Sequence, residues 1–180
     1  MSRYYDFSAL TALVVDDSGA TRRIVNMILQ AMGVGTVYAV GDAAAGFEIM
    51  EAAKLDVVIT DWVMQPLDGG EFVRSIRNMN DAVRFVPIIV LTGHASARLV
   101  GKVRDAGADY TLAKPISPAN VYRAFQHMRE GDRRFVQVGA YFGPDRRRKA
   151  RPFEFADRRA AGKAALDAPG AGRGARAVAG

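Results

Sequence analysis

Five side chains of this sequence share one placement: Asp16, Asp17, Asp61, Thr92 and Lys114 each stand at the end of a short apolar run, LVV, VVIT, IIVL or TLA. If those runs are parallel strands, a ligand binds just beyond their carboxyl ends. Three carboxylates, a hydroxyl and an ammonium then converge. Carboxylates held that close repel one another and retain a proton unless a cation sits among them. A hard divalent ion such as Mg2+ fits, because it takes one or two protein carboxylates, keeps several waters and uses its remaining positions on phosphate oxygens. Phosphoryl transfer is the chemistry such a set supports. One carboxylate attacks phosphorus, the metal neutralises developing charge, and Lys114 and Thr92 meet the phosphoryl oxygens through an ion pair and a hydrogen bond. Spacing alone leaves open which carboxylate attacks.

Composition narrows what can join them. With no cysteine there is no disulfide, thiolate nucleophile or thiolate zinc site, and two histidines, His94 and His127, are too few for a histidine-rich metal cage. Any metal is expected to be held by oxygen. His94 reads as a solvent-facing loop residue, and His127 as part of a helix surface beside Phe125 and Met128. No apolar run is long enough to span a bilayer, and the opening MSRYYDFSAL lacks the basic-then-apolar order of a secretory signal. A cytoplasmic protein without membrane insertion is expected. The net charge of +6 hints at nucleic-acid binding until it is located: residues 1–129 carry 13 Lys/Arg and 13 Asp/Glu, residues 130–180 carry 12 and 6. The excess is C-terminal.

The elements that must position these groups are visible as an alternation. Short β-branched runs at Thr11–Val15, Thr36–Val40, Leu55–Thr60, Pro87–Leu91 and Tyr110–Leu112 alternate with amphipathic or alanine-rich stretches. The stretches Ala20–Met32, Ala43–Ala53, Glu71–Met79, Ala97–Ala106 and Pro118–Met128 read as helices, with Ser18, Asp42 and Ser117 as N-caps and Gly33 and Gly107 as stops. This is an α/β domain over residues 11–130, preceded by an extension, 1–10. The first, third and fourth runs are almost wholly apolar, as central parallel strands buried on both faces should be. Residues 131–159 break the alternation with arginines among aromatics, and FVQVGAYFGPDRRR within them reads as a basic, aromatic arm that docks its rings on the domain or a partner and leaves its arginines free. Residues 160–180, of which 15 of 21 are Ala, Gly or Pro, are expected to be disordered.

Four motifs in order, VVDD at 14–17, DWVMQPLDG at 61–69, PIIVLTGHA at 87–95 and AGADYTLAKP at 106–115, resemble the receiver domain of two-component response regulators. The resemblance implies a flavodoxin-like, doubly wound five-stranded parallel sheet in the order 2-1-3-4-5 with five helices. It also implies roles. Asp61 takes phosphate, Asp16, Asp17 and Asp61 hold Mg2+ with the main-chain carbonyl of Val63, and Thr92 and Lys114 read the phosphate. Trp62 is expected to sit over the site as a partly exposed aromatic. Three departures accompany the match. Gln65 precedes Pro66 where the proline usually comes one residue earlier. The inward-turning aromatic three residues before the lysine is replaced by Thr111, with Tyr110 next to it, so the switch set is Thr92, Thr111 and Tyr110. Val63 and His94, which flank the site, replace a polar and acidic pair, and an altered phosphate lifetime is expected from them.

Taken singly, each motif has an ordinary explanation: an aspartate pair caps a helix, a Lys-Pro makes a turn, a threonine forms a strand. The ordered set outweighs them. The resemblance implies a single-domain response regulator, phosphorylated by a sensor histidine kinase or a histidine phosphotransfer protein and signalling through protein contacts of its fourth helix, fifth strand, fifth helix and tail. It would be a phosphoacceptor that promotes its own aspartyl phosphorylation and dephosphorylation rather than an enzyme with a separate substrate. Two alternatives stand beside it: receiver-gated nucleic-acid binding by the RRRK cluster at 146–149, and a phosphate sink or intermediate in a phosphorelay. The cluster itself is read as a solvated charge run ahead of a nucleic-acid contact.

Overall fold

Five β-branched runs pair as parallel strands: β1 Thr11–Val15, β2 Thr36–Val40, β3 Val57–Asp61, β4 Ile88–Thr92 and β5 Tyr110–Ala113. Their order is β2-β1-β3-β4-β5. The computed structural model describes residues 5–94, 96–130 and 134–145. The expectations for the arginine cluster at 146–149 and for 160–180 lie outside these residues.

Helices α1 Gly19–Ala31, α2 Ala43–Ala52, α3 Gly69–Asn78, α4 Ala97–Ala106 and α5 Pro118–Glu130 follow the strands in turn. Both faces of the sheet are covered, and the pleat divides the core in two. Leu13, Val15, Val58, Ile88 and Val90 pack with α2, α3 and α4 through Met50, Phe72, Ile76 and Val103. Ala12, Val14, Ile59, Ile89 and Leu91 pack with α1 and α5 through Ile28, Leu29, Val121 and Phe125. Strands β3 and β4 are buried along their whole length, as their apolar runs require.

Ser18 and Asp42 cap α1 and α2 through their side chains, and Ser117 Oγ accepts from the Asn120 N–H. Gly33 and Gly107 end α1 and α4 with φ of 80° and 104°, the left-handed conformation that favours glycine. Most element ends shift by one or two residues from the sequence expectation, β4 to Ile88–Thr92 and β5 to Tyr110–Ala113 among them, and two of the shifts have a visible cause. β3 runs from Val57 to Asp61 rather than Leu55 to Thr60, because Asp56 is used at the strand's entrance, exchanging main-chain and side-chain hydrogen bonds with Thr11. α3 starts at Gly69 rather than Glu71, because Asp68 and Glu71 form a reciprocal capping box.

Two features go beyond the sequence reading: a 3-10 turn, Ala82–Phe85, and the pairing of part of the aromatic arm as an antiparallel hairpin of β6 Phe135–Val138 and β7 Tyr141–Pro144. The hairpin lies on the turn. Phe135 and Phe142 meet Phe85 edge-on at 5.2 and 5.3 Å between centroids, and the Arg84 guanidinium lies 3.6 Å over the Phe142 ring. Beneath it Arg77 is fully buried. Its guanidinium donates to the carbonyls of Gly107, Arg84 and Val86 and pairs with Asp109 at 2.9 Å, joining α3, the turn and the entrances of β4 and β5.

Candidate functional site

The sheet delivers the five expected side chains to one end. Asp16 follows β1, Asp61 is the last residue of β3, Thr92 the last of β4, and Lys114 follows β5. Because β3 lies between β1 and β4, Asp61 stands at the centre. Carboxylate oxygens of Asp16, Asp17 and Asp61 come within 4.8 Å of one another. Asp16 and Asp61 are buried and Asp17 is exposed, so the cleft has a closed floor and an open lip.

Lys114 reaches into this cleft from the β5 side. Its Nζ bridges Asp16 Oδ2 at 3.0 Å and Asp61 Oδ1 at 3.1 Å. Asp16 Oδ1 also accepts from the Ser18 N–H, and Asp61 Oδ1 from the Trp62 N–H. Burial raises the Asp61 pKa above the ordinary aspartate value, and the nearby Asp16 charge adds to the rise; the Lys114 ammonium and the Trp62 N–H offset part of it. For Lys114, burial works against the ammonium. Its hydrogen bonds to Asp16 and Asp61 and their charges together outweigh that and raise its pKa. Two buried carboxylates thus share one ammonium.

This donor set suits Mg2+: three carboxylates within ligand range of one another, all hard oxygen, two of them in a pocket with less positive charge than negative. Asp16, Asp17 and Asp61 would hold it.

Thr92 is occupied elsewhere. Its Oγ1 donates to the His94 carbonyl and accepts from the His94 N–H, both at 3.2 Å, so in this conformation the hydroxyl belongs to the loop leading into α4. The side chains of Val63 and His94 are exposed. Trp62 is half-buried, its ring over Gly70, where an added Cβ would lie 2.7 Å from it. The two β5 residues of the switch set part company. Thr111 pairs with Val90, on the same face of the sheet as Thr92, whereas Tyr110 packs on the opposite face and stacks on His127 at 6.4 Å. A single residue's offset in a strand is enough to reverse the face.

Sequence reasoning missed two contributors. Gly69 is one: its N–H donates to the Trp62 carbonyl, and an added Cβ would lie 2.0 Å from the Asp61 carbonyl oxygen. The DG pair before an amphipathic run was the available signal. Arg22, whose Nη1 donates to the main-chain carbonyls of Asp16 and Asp17, is the other; nothing in the sequence separates it from the neighbouring, exposed Arg23.

The family model of the response regulator receiver domain matches residues 12–126. A chemotaxis protein CheY-3 of Vibrio cholerae is 26% identical over 109 residues, 61% of this chain and 83% of the relative, and a probable chemotaxis protein CheY of Rhizobium etli is 30% identical over 108 residues, 60% and 83%. Among solved structures, Vibrio cholerae chemotaxis protein CheY4 superposes with a TM-score of 0.62 at 31% identity, covering 66% of this chain and 98% of that one. The receiver domain of the sensor histidine kinase PA1611 from Pseudomonas aeruginosa, solved with a magnesium ion coordinated in its active-site cleft, superposes with a TM-score of 0.61 at 28% identity, covering 68% and 98%.

Proposed function

The chain belongs to the response regulator receiver domain family of two-component signalling, and from that premise we propose that it is a single-domain response regulator switched by phosphorylation of Asp61. The observation that carries this reading is the position of Asp61, on the central strand between Asp16 and Lys114. A carboxylate oxygen of Asp61 attacks the phosphorus of a phosphohistidine; the P–N bond breaks, and the imidazole of the kinase or phosphotransfer protein leaves. Mg2+, held by Asp16, Asp17, Asp61 and the Val63 carbonyl, would neutralise charge on the phosphoryl oxygens. Lys114 then pairs with one of those oxygens. The protein acts on no separate substrate and promotes only the gain and loss of its own phosphate.

Output follows from Thr92. Its hydroxyl satisfies the His94 backbone at rest, and a phosphoryl oxygen offers it a charge-assisted alternative. Taking that alternative draws the β4–α4 loop inward and shifts a two-state equilibrium at the α4–β5–α5 side. A shallow cleft there, lined by Tyr110, Leu112, Asn120, Arg123 and His127, is the surface we assign to a downstream protein in the cytoplasm.

The test is labelling by a small-molecule phosphodonor with Mg2+. Wild type should take up phosphate and Asp61→Asn should not; uptake by Asp61→Asn sinks the assignment. Transfer from a purified histidine kinase, compared with return of the group to a histidine phosphotransfer protein, separates a terminal switch from a relay intermediate.

A further inference from the structure

Arg22, in the first turns of α1, makes no ion pair among the described residues, yet its guanidinium is well fixed. Nη1 donates to the main-chain carbonyls of Asp16 at 2.6 Å and Asp17 at 3.1 Å. Around it stand two glycines: a Cβ on Gly41 would lie 3.4 Å from Nη1, and one on Gly19 would lie 3.6 Å from Nη2. The cation therefore lies between the β1–α1 loop, the start of α1 and the turn after β2.

Asp16 has other fastenings, since its N–H donates to the Val40 carbonyl and its Oδ1 accepts from Ser18. Asp17 differs. It is exposed, it precedes Ser18-Gly19, and the hydrogen bond from Arg22 to its carbonyl ties it to the fold. We propose that Arg22 is a positioning residue for the cation site: it fixes the Asp16–Asp17 backbone so that both carboxylates face Asp61. This inference rests on the reading of Asp16, Asp17 and Asp61 as metal ligands.

Two effects of Arg22 oppose each other. As a cation near the site, it repels a divalent ion; as a clamp on the loop, it prepays the ordering of a ligand. Across solvent and physiological salt, the repulsion amounts to about a twofold loss of affinity. A charge-assisted hydrogen bond contributes roughly tenfold or more to the equilibrium it biases. The clamp therefore wins, and removing it weakens binding.

The experiment is calorimetric titration of Mg2+ alone, without phosphodonor, into wild type, Arg22→Ala and Arg22→Lys, with far-UV circular dichroism to verify folding. The inference expects Arg22→Ala to bind about tenfold more weakly. Arg22→Lys, which keeps the charge but loses the guanidinium geometry, should fall between that variant and wild type, or match the alanine variant. Affinity unchanged or tighter in Arg22→Ala overturns the inference. Should Arg22→Ala fail to fold, Arg22→Lys decides alone: weaker binding supports the clamp, and wild-type affinity rejects it. Failure of the wild type to bind Mg2+, or binding unaffected by Asp17→Asn and Asp61→Asn, would instead remove the metal-site reading itself.

Discussion

Lys114 at rest lies between the two buried carboxylates that a divalent cation would also need, 3.0 Å from one and 3.1 Å from the other. Ammonium and metal therefore compete electrostatically. Lys114→Met should tighten Mg2+ binding several-fold at neutral pH, measured by calorimetry, while slowing phosphate uptake, because the group proposed to meet the phosphoryl oxygen is gone. Weaker Mg2+ binding in that variant would show that the ammonium organises the carboxylates instead of competing for them. Protons are the other competitor. Because burial raises the Asp61 pKa, the folded protein holds that proton more tightly than the unfolded chain does. The sign follows: metal-free protein loses stability as pH rises from the ordinary aspartate value of 3.8 through the raised value, and Mg2+ affinity falls as pH drops through the same window. Lys114 does not act there, since a raised lysine pKa contributes stability that is full below 10.5 and lost only as pH rises through its folded value. Asp61→Asn should flatten the acid-side change in melting temperature of metal-free protein and raise that temperature at neutral pH by a few degrees. An unaltered pH profile would place the titrating group elsewhere.

Helices and turns bring these residues together, and here close backbone contact matters more than side-chain chemistry. Gly69 opens α3 against the end of β3, with no room for a Cβ beside the Asp61 carbonyl. Gly69→Ala should force α3 off β3, costing about 1–3 kcal/mol in urea unfolding and, on the proposed function, slowing phosphate uptake at Asp61 by roughly 10–100-fold. Normal uptake in a destabilised variant would mean that α3 sets stability but not the site. The sequence made much of this level legible, and the exceptions have physical causes. Strands β1 and β2 and helix α4 lie where expected because their residues follow one period between clear punctuation. The start of α3 was displaced because the capping box begins before the apolar pattern does. Tyr110 and Thr111 were grouped as neighbours in sequence, though the pleat sends them to opposite faces. The docking arm was legible from its aromatics, but its hairpin pairing and its seat were not, since its anchors Arg77, Arg84 and Phe85 lie some fifty residues upstream and are met by its rings rather than by any periodic pattern. Arg77 was hidden for a related reason: in a helix sequence a buried arginine looks like an exposed one until its carbonyl partners are known.

The whole folded unit extends beyond the segment that matches the family, 12–126, at both ends. Before it, Phe7 is fully buried, edge-on to Phe125 at 5.5 Å and Tyr122 at 5.9 Å, and Arg129 donates to the Asp6 carbonyl, so the entering chain straps α5. After it, the hairpin lies on α3, the 3-10 turn and the end of α4, where an added Cβ on Gly107 would lie 3.0 Å from the Phe142 carbonyl oxygen. The two attachments load opposite faces of the sheet, Phe7 in the α1–α5 core and the hairpin on the α3–α4 side. They touch α4 and α5, the helices of the proposed output side. Phe7→Ala should cost about 3–5 kcal/mol, as for a buried aromatic, and Phe142→Ala about 1–2 kcal/mol for a half-buried ring that loses the Arg84 cation–π contact. Because no partner is shared among the described residues and the sheet intervenes, the double variant should cost the sum to within about 0.5 kcal/mol. Chemical denaturation of the two single variants and the double variant measures this directly. A larger coupling would mean that the sheet transmits strain between its faces.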